Sequence, residues 1–150
     1  VIRIVNRLIR EGYSARNVLI LYKTASINGK PVVKPLIDAL KTAEIPYDWI
    51  TMNTNKKHRF VWGDESVKVC SVHSAKGMDA PVVIVLTAEA FDEKDPISDN
   101  IRLMYVAMTR ARERLIVLSS GDGGIVPRLR QTINRYRRSR QYVLNLERGE

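Results

Sequence analysis

The chain has 150 residues, of which 45% are apolar, and this is enough for one domain with its own core. Its single cysteine, Cys70, excludes an internal disulfide framework and a cysteine-rich metal cluster, and no apolar run is long enough to cross a bilayer. The net charge of +9 is uneven, because six arginines and no acid lie between Arg128 and Arg140. That stretch favours phosphate-rich partners through counterion release, although a solvated helix face explains the same charge.

The composition and the first residues also set expectations about context. One cysteine fits a reducing compartment, so we expect a cytoplasmic protein. The start, Val1–Ile4, has neither an initiator methionine nor a signal-peptide pattern, so we expect a fragment of a larger protein. Because the sequence contains no internal repeat and no low-complexity linker, residues 1–150 are predicted to form a single domain.

Apolar residues recur at alternating helical and strand-like spacings along the chain. The first twelve residues and Val33–Ala43 have helical spacing, and the first of these predicted helices ends at Gly12. The cluster Asn28–Pro31 is predicted as a break. Short apolar runs predict buried strands. The predicted strands are Asn17–Tyr22, Tyr47–Thr51, Phe60–Trp62, Val67–Val72, Pro81–Thr87 and Leu115–Ser119.

Two further helices are predicted in the second half of the chain. One begins at a cap on Ser98 or Asp99 and runs to about Ala111. Its core-facing residues are predicted to be Ile101, Met104, Tyr105 and Met108. The other covers Ile125–Arg138, and the tail Tyr142–Leu146 is predicted as a last strand or as unravelled chain. Strands alternating with helices indicate an α/β fold with a mainly parallel sheet covered on both faces, in which ligands gather at the carboxyl ends of the strands.

A polar cluster follows the predicted strand Val67–Val72. Gly77 allows backbone conformations that other residues resist, and serine hydroxyls and exposed backbone N–H groups can bind phosphate oxygens. Lys76 adds a positive charge, and Asp79 could accept hydrogen bonds from a sugar hydroxyl. An ordinary strand-to-helix turn with a capping serine explains the same residues. The cluster comprises Ser71, His73, Ser74, Lys76, Gly77 and Asp79.

A second group of candidate residues lies in Arg102–Leu115, an apolar helix with arginines at both ends. Arg102 stands at its start, and Arg110 and Arg112 stand at its end. The planar fork of arginine can bond two oxygens of a phosphoryl group. Cations that complement a helix C-terminus explain the same placement. The residues alone leave both interpretations open.

Together the two groups resemble the UvrD/Rep-type (superfamily 1) DNA helicases. The segment Val72–Asp79, VHSAKGMD, resembles motif V of that family, usually T-x-H-x-x-K-G-L-E-F. The segment Arg102–Ala111, RLMYVAMTRA, resembles motif VI, usually R-R-L-x-Y-V-A-x-T-R-A. Val18–Lys23 stands where motif IV belongs, so the resemblance covers roughly Val18 to Ser119.

The resemblance implies the second, C-terminal motor domain of such a helicase, with a RecA-like, P-loop NTPase-type three-layer fold. No G-x-x-x-x-G-K-[ST] occurs in the chain, so the fold would lack its own Walker A loop. In this family ATP and Mg²⁺ lie between two RecA-like domains, and the first domain carries the Walker A loop and the magnesium ligands. We therefore expect that this chain alone has no metal site, binds no cofactor tightly and does not hydrolyse ATP. We also expect no membrane partner. The implied partners are single-stranded DNA and the first RecA-like domain.

The resemblance also implies individual roles. Arg110 would reach the γ-phosphate as an arginine finger. Gly77 and Asp79 would approach the phosphates and the ribose, while Tyr22 would pack against the adenine and Lys23 would contact phosphate. The implied contacts to single-stranded DNA are Ser71, His73, Ser74 and Lys76.

Three positions depart from the family pattern. Lys23 stands where motif IV usually has arginine, and a lysine loses the bidentate fork. Asp79-Ala80 replaces the usual Glu-Phe, which shortens the carboxylate side chain and removes an aromatic ring. Ser71 stands where threonine is usual, a mild change. Only 45 positions separate Tyr22 from Val67, which leaves no room for the extra domain of larger family members.

A second functional hypothesis accounts for these departures. A degenerate helicase fold can serve as a non-catalytic nucleic-acid-binding module or as a remodeller of RNA polymerase. Arg110 separates the two hypotheses, because a motor without activity has no need for an arginine at the γ-phosphate position.

Overall fold

The computed structural model describes the backbone of residues 1–50, 64–92 and 97–148, and the side chains of residues 1–50, 64–92 and 99–138. The predicted strand Phe60–Trp62 lies outside these residues. The helices are α1 (Ile2–Arg10), α2 (Val33–Thr42), α3 (Ile97–Met108) and α4 (Val126–Arg148). The strands are β1 (Val18–Tyr22), β2 (Ser26–Ile27), β3 (Lys30–Pro31), β4 (Tyr47–Ile50), β5 (Val67–Ser71), β6 (Ala80–Val85) and β7 (Ala111–Val117). None of these helices is long and apolar enough to cross a bilayer.

The main sheet has five strands in the order β4-β5-β1-β6-β7, and every pair of neighbours is parallel. Strand β1 lies at the centre, and all five of its residues are buried. Its unbroken apolar run follows from this position, because a central parallel strand is covered on both faces.

Helices cover both faces of the sheet and form two cores. On one face, Leu8 of α1 and Leu40 of α2 pack against Ile20 of β1. On the other face, Met104 of α3 packs with Leu21, which follows Ile20 in β1 and therefore points to the opposite face of the sheet. This arrangement confirms the predicted α/β, RecA-like three-layer fold; the sheet is wholly rather than mainly parallel.

Several boundaries differ from the sequence prediction. The predicted break Asn28–Pro31 is part of a β2–β3 hairpin, and Asn28 and Gly29 both have positive φ, as a tight hairpin turn requires. Helix α3 begins at Ile97, ahead of the predicted cap residues.

Two predictions in the last third of the chain are wrong. Strand β7 begins at Ala111, four residues before the prediction, because Arg112, Glu113 and Arg114 are exposed on an edge strand and give no apolar signal. The tail predicted as strand or unravelled chain belongs to α4, in which no glycine or proline interrupts the helix after Pro127.

Candidate functional site

The connection from β5 to β6 determines where the polar residues of the first motif lie. Strand β5 ends with Ser71 at the carboxyl edge of the sheet, and β6 begins with Ala80 at the opposite, amino edge. Between them the chain crosses the face that α3 covers, and Val72, Ala75 and Met78 are buried there. The motif therefore places its polar side chains at two edges of the sheet.

Arg110 lies at the amino edge, directly before β7. Its Nη1 donates a hydrogen bond to Oδ1 of Asp79 at 2.9 Å, and its Nε donates to the carbonyl oxygen of Val106 at 3.1 Å. The Arg110 carbonyl accepts a bond from the Ala80 N–H at 3.0 Å, which joins the two motifs through the backbone. The side chains are 23% exposed for Arg110 and 42% for Asp79, so solvent reaches this ion pair.

The guanidinium is oriented but not saturated. A third, longer bond runs from Nη2 to the Thr109 hydroxyl at 3.5 Å. Arginine has five N–H donors, so two remain for an incoming anion. The expectation that the candidate residues follow strands is wrong for Asp79 and Arg110, because both come directly before a strand and lie at the amino edge.

Gly77 connects the crossing segment to Asp79. It is exposed and has φ +83°, a conformation that residues with a Cβ rarely adopt. A Cβ built on it would meet nothing within 4 Å. Glycine is therefore required here for its backbone conformation rather than for a close approach of neighbouring protein atoms.

The residues with a predicted DNA contact lie at the carboxyl edge or on the segment that leaves it. They are Ser71, His73, Ser74 and Lys76. The Ser71 hydroxyl donates to the Ser74 hydroxyl at 2.9 Å and accepts from the Ser74 N–H at 3.2 Å. His73 is exposed beside them, and Lys76 is exposed farther along the crossing segment. Two hydroxyls, an imidazole and an ammonium group suit the oxygens of a phosphate backbone.

Tyr22 and Lys23 also lie at the carboxyl edge. Leu21, the residue before Tyr22, pairs with Val85 of β6, which is six residues after Asp79. At a rise of about 3.3 Å per residue, Tyr22 and Lys23 therefore lie roughly 20 Å from Asp79. The structure thus brings Asp79 and Arg110 together but leaves Tyr22 and Lys23 at the opposite edge.

Both of these side chains have partners inside the domain. Tyr22 is buried, its hydroxyl accepts a bond from Trp49 Nε1 at 3.2 Å, and burial raises the pKa of its hydroxyl. Lys23 Nζ donates to the carbonyl oxygen of Ala90 at 2.8 Å. Trp49 reaches Tyr22 across β5, because β4 pairs with β5 and β5 pairs with β1.

Tyr105 and the loop after β6 differ from sequence expectations. Tyr105 was predicted to face the core, but it is 66% exposed, because the buried side of α3 is centred on Met104 and Ala107.

Thr87 has φ +51°, rare for a β-branched residue, and no sequence pattern indicates it. Burial raises the pKa of the Glu89 carboxyl, but hydrogen bonds from Ser120 and Ser119 outweigh this effect and lower it overall.

The fold and the two edges define a RecA-like α/β domain with polar residues at both ends of its central strands. Residues 66–118 match the family model described as UvrD-like helicase C-terminal domain. This segment contains Asp79, Arg110 and the Ser71–Lys76 group, whereas Tyr22 and Lys23 precede it.

A solved structure supports the fold. The chain is similar to the crystal structure of the C-terminal domain of a possible DNA helicase from Lactobacillus plantarum WCFS1, with a TM-score of 0.54 and 18% identity over 81% of this chain and 70% of that chain. A likeness at this identity concerns the fold alone. The comparison with curated proteins found no match. The family match over residues 66–118 and the likeness of fold together support a UvrD-type C-terminal domain.

Proposed function

We propose that the chain is the C-terminal motor domain of an ATP-dependent DNA helicase or translocase. It would work against a first RecA-like domain that carries the Walker A loop and the magnesium ligands. The observation that carries this proposal is the position of Arg110, oriented by Asp79 and Val106 at the amino edge within the matched segment.

The residues at the amino edge fit the phosphates of ATP. Arg110 offers a partly exposed, permanent positive charge, and the exposed backbone at Gly77 allows a close approach. Among the residues that the structure describes, no group of three His, Cys, Asp or Glu side chains could hold a metal ion. We assign the Mg²⁺ ligands to the first domain, as the resemblance to the UvrD/Rep-type helicases implies. Bound between the domains, ATP would supply the phosphoanhydride bond whose hydrolysis drives the motor.

Arg110 can exchange its partner at low cost. An ion pair as exposed as Arg110–Asp79 contributes about 0.2–1 kcal/mol. An arginine finger accelerates hydrolysis by roughly 10³-fold or more, which corresponds to about 4 kcal/mol of transition-state stabilisation. Asp79 would hold Arg110 in place before ATP enters, and the guanidinium would then turn its donors towards the γ-phosphate.

We assign the contacts with single-stranded DNA to the opposite edge. Ser71, His73 and Ser74 would bind phosphate oxygens of the strand, and Lys76 would add a positive charge along the crossing segment. Such contacts fix the position of the strand without reading its sequence.

The test is steady-state ATP hydrolysis by a protein that contains both motor domains, with and without single-stranded DNA. Arg110→Ala is expected to lower the DNA-stimulated rate by roughly 10³-fold or more. Arg112→Ala is the matched control, because Arg112 is an exposed arginine two residues away on β7, and it should retain a rate within a few-fold of the wild type. Equal rates for all three proteins would exclude the arginine-finger role.

A second candidate function is a non-catalytic nucleic-acid-binding module. The engagement of Tyr22 with Trp49 and of Lys23 with Ala90, at the edge away from Arg110, favours it. This hypothesis predicts that the two-domain protein binds single-stranded DNA but shows no hydrolysis that DNA stimulates. Stimulated hydrolysis that depends on Arg110 would rule it out.

A further inference from the structure

Helix α4 leaves the body of the domain partway along its length. Ile125 and Val126 are buried, and Leu129 is half-buried against the second core. From residue 131 to residue 138 every side chain is exposed. Ile133 is 49% exposed and Tyr136 is 63% exposed, so the helix presents two large side chains with apolar surface to solvent.

The exposed part of α4 is strongly basic on two sides. At 100° per residue, Leu129, Ile133 and Tyr136 follow one stripe of the helix. Arginines border this stripe on both sides. They are Arg128 and Arg135 on one side and Arg130 and Arg137 on the other, and Arg138 lies next to Arg135. The sequence has no acidic residue from 126 to 138, and the Arg130 guanidinium forms an ion pair with Asp122 in the preceding turn.

The start of α4 places this helix relative to the rest of the domain. Strand β7 is parallel to β6, so α4 follows it from the carboxyl edge, where Ser71 and Ser74 also lie. Ile133 lines a groove together with Met108 and Val117, so the helix runs back beside the end of α3. Residues 134–138 continue the helix past this groove, and all of their side chains are exposed.

We propose that residues 130–138 of α4 form a second binding surface for single-stranded nucleic acid. Arginine forks suit backbone phosphates, and a tyrosine ring between Arg135 and Arg137 offers a face on which an unpaired base can stack. The surface does not depend on ATP hydrolysis, so it stands independently of the proposed motor function.

The chemistry favours a nucleic acid over a membrane surface. Helices that lie in a membrane interface bury a broad apolar face. Here Leu129 packs on the body and Ile133 lines the groove, so Tyr136 is the one large ring of the described stripe that extends beyond them. Arginines on both sides of a narrow stripe match a charged strand better than a lipid bilayer.

The charge test compares two triple variants of the full chain that each lower the net charge from +9 to +6. The first combines Arg135→Gln, Arg137→Gln and Arg138→Gln. The matched control combines Arg3→Gln, Lys34→Gln and Lys41→Gln, which are exposed positions on the helices of the other face. Binding of a fluorescent oligothymidine is measured by anisotropy between low and moderate salt, and circular dichroism checks that each variant is folded.

The first variant is expected to bind at least about tenfold more weakly at low salt. Its slope of log affinity against log salt should fall by about 2, since each single-strand phosphate contact contributes about 0.7. The control should keep the wild-type slope. If both variants lose the same affinity, net charge alone explains the binding and the α4 surface is excluded.

The stacking test uses Tyr136. Tyr136→Leu is expected to weaken single-strand binding by about 5- to 150-fold, whereas Tyr136→Phe should bind nearly as the wild type does. The chain should bind duplex DNA of the same length more weakly, and Tyr136→Leu should not change its affinity for the duplex. Equal affinity for duplex together with a silent Tyr136→Leu would overturn the single-strand assignment. Binding to vesicles rich in anionic lipid without binding to the oligonucleotide would overturn the nucleic-acid assignment altogether.

Loss of ATP hydrolysis in Arg110→Ala with unchanged oligonucleotide binding would leave this proposal standing and separate it from the motor function.

Discussion

The Arg110–Asp79 ion pair must be inexpensive to break if Arg110 is to reach a phosphate. The structure allows a direct estimate of that cost. The Nη1–Oδ1 distance is 2.9 Å, but the two side chains are 23% and 42% exposed, so water screens the charges. A pair with this exposure contributes about 0.2–1 kcal/mol to the free energy of unfolding.

A double-mutant cycle measures this contribution. The four proteins are the wild type, Asp79→Asn, Arg110→Gln and the double variant, and urea unfolding of the chain gives the free energy of unfolding of each. We expect a coupling energy of at most about 1 kcal/mol and single-variant shifts in melting temperature of about 2–4 °C.

A large coupling energy would refute the reasoning. If it exceeded about 3 kcal/mol, the pair would behave as a buried salt bridge, and releasing Arg110 would consume most of the roughly 4 kcal/mol that a finger contributes. Arg110 would then be a structural residue that ties β7 to the crossing segment. A small coupling energy combined with a large loss of hydrolysis in Arg110→Ala would separate catalysis from stability.

Three further predictions concern stability and the cysteine. Gly77→Ala should lower the free energy of unfolding by about 1–2 kcal/mol, because its φ of +83° is strained for alanine, whereas Gly121→Ala, at a position with ordinary φ and open space, should be nearly neutral in urea unfolding. Gly124→Ala should cost more than Gly77→Ala in the same assay, since a Cβ there would lie 2.5 and 2.8 Å from two carbonyl oxygens; an equal cost would show that the backbone relaxes. Burial raises the pKa of the Cys70 thiol from 9.0 to about 12, so the folded chain should resist iodoacetamide at pH 8 and label only on unfolding. Since the unfolded thiol ionises first, stability should decline as pH rises through about 9 towards 12, and a flat profile across that window would contradict the assignment.

The sequence predicted the elements whose signal is local. The run Val18–Tyr22 is apolar throughout because β1 is covered on both faces, and this is visible in any short window. The start of β7 was missed for the opposite reason, since its first residues are charged and exposed and continue the pattern of the preceding helix. The sequence predicts Tyr105 in the core because its spacing from Met108 and Ile101 is helical, although it lies 100° around the helix from the buried Met104.

The candidate site was predictable residue by residue but not as an arrangement. The motifs indicated Asp79 and Arg110 separately, 31 positions apart, and gave them different atoms of one nucleotide. Their contact depends on the crossing from β5 to β6, which brings Ala80 beside the end of α3, and spacing along the chain does not encode that path. The same crossing separates Tyr22 from Asp79, although the family resemblance assigns both to nucleotide binding.

The crossing segment also bears on how the proposed motor would couple its two ligands. Ser71 belongs to the edge assigned to DNA and Asp79 to the edge assigned to ATP, yet only seven residues separate them. Val72, Ala75 and Met78 are buried between these edges, so the segment is packed against the core rather than suspended as a loop. A packed segment transmits a displacement at one end because a close-packed core resists compression. If closure on ATP moves Asp79 together with Arg110, the segment would pass that movement first to Lys76 and then to the hydroxyl pair at Ser71 and Ser74 at the DNA edge.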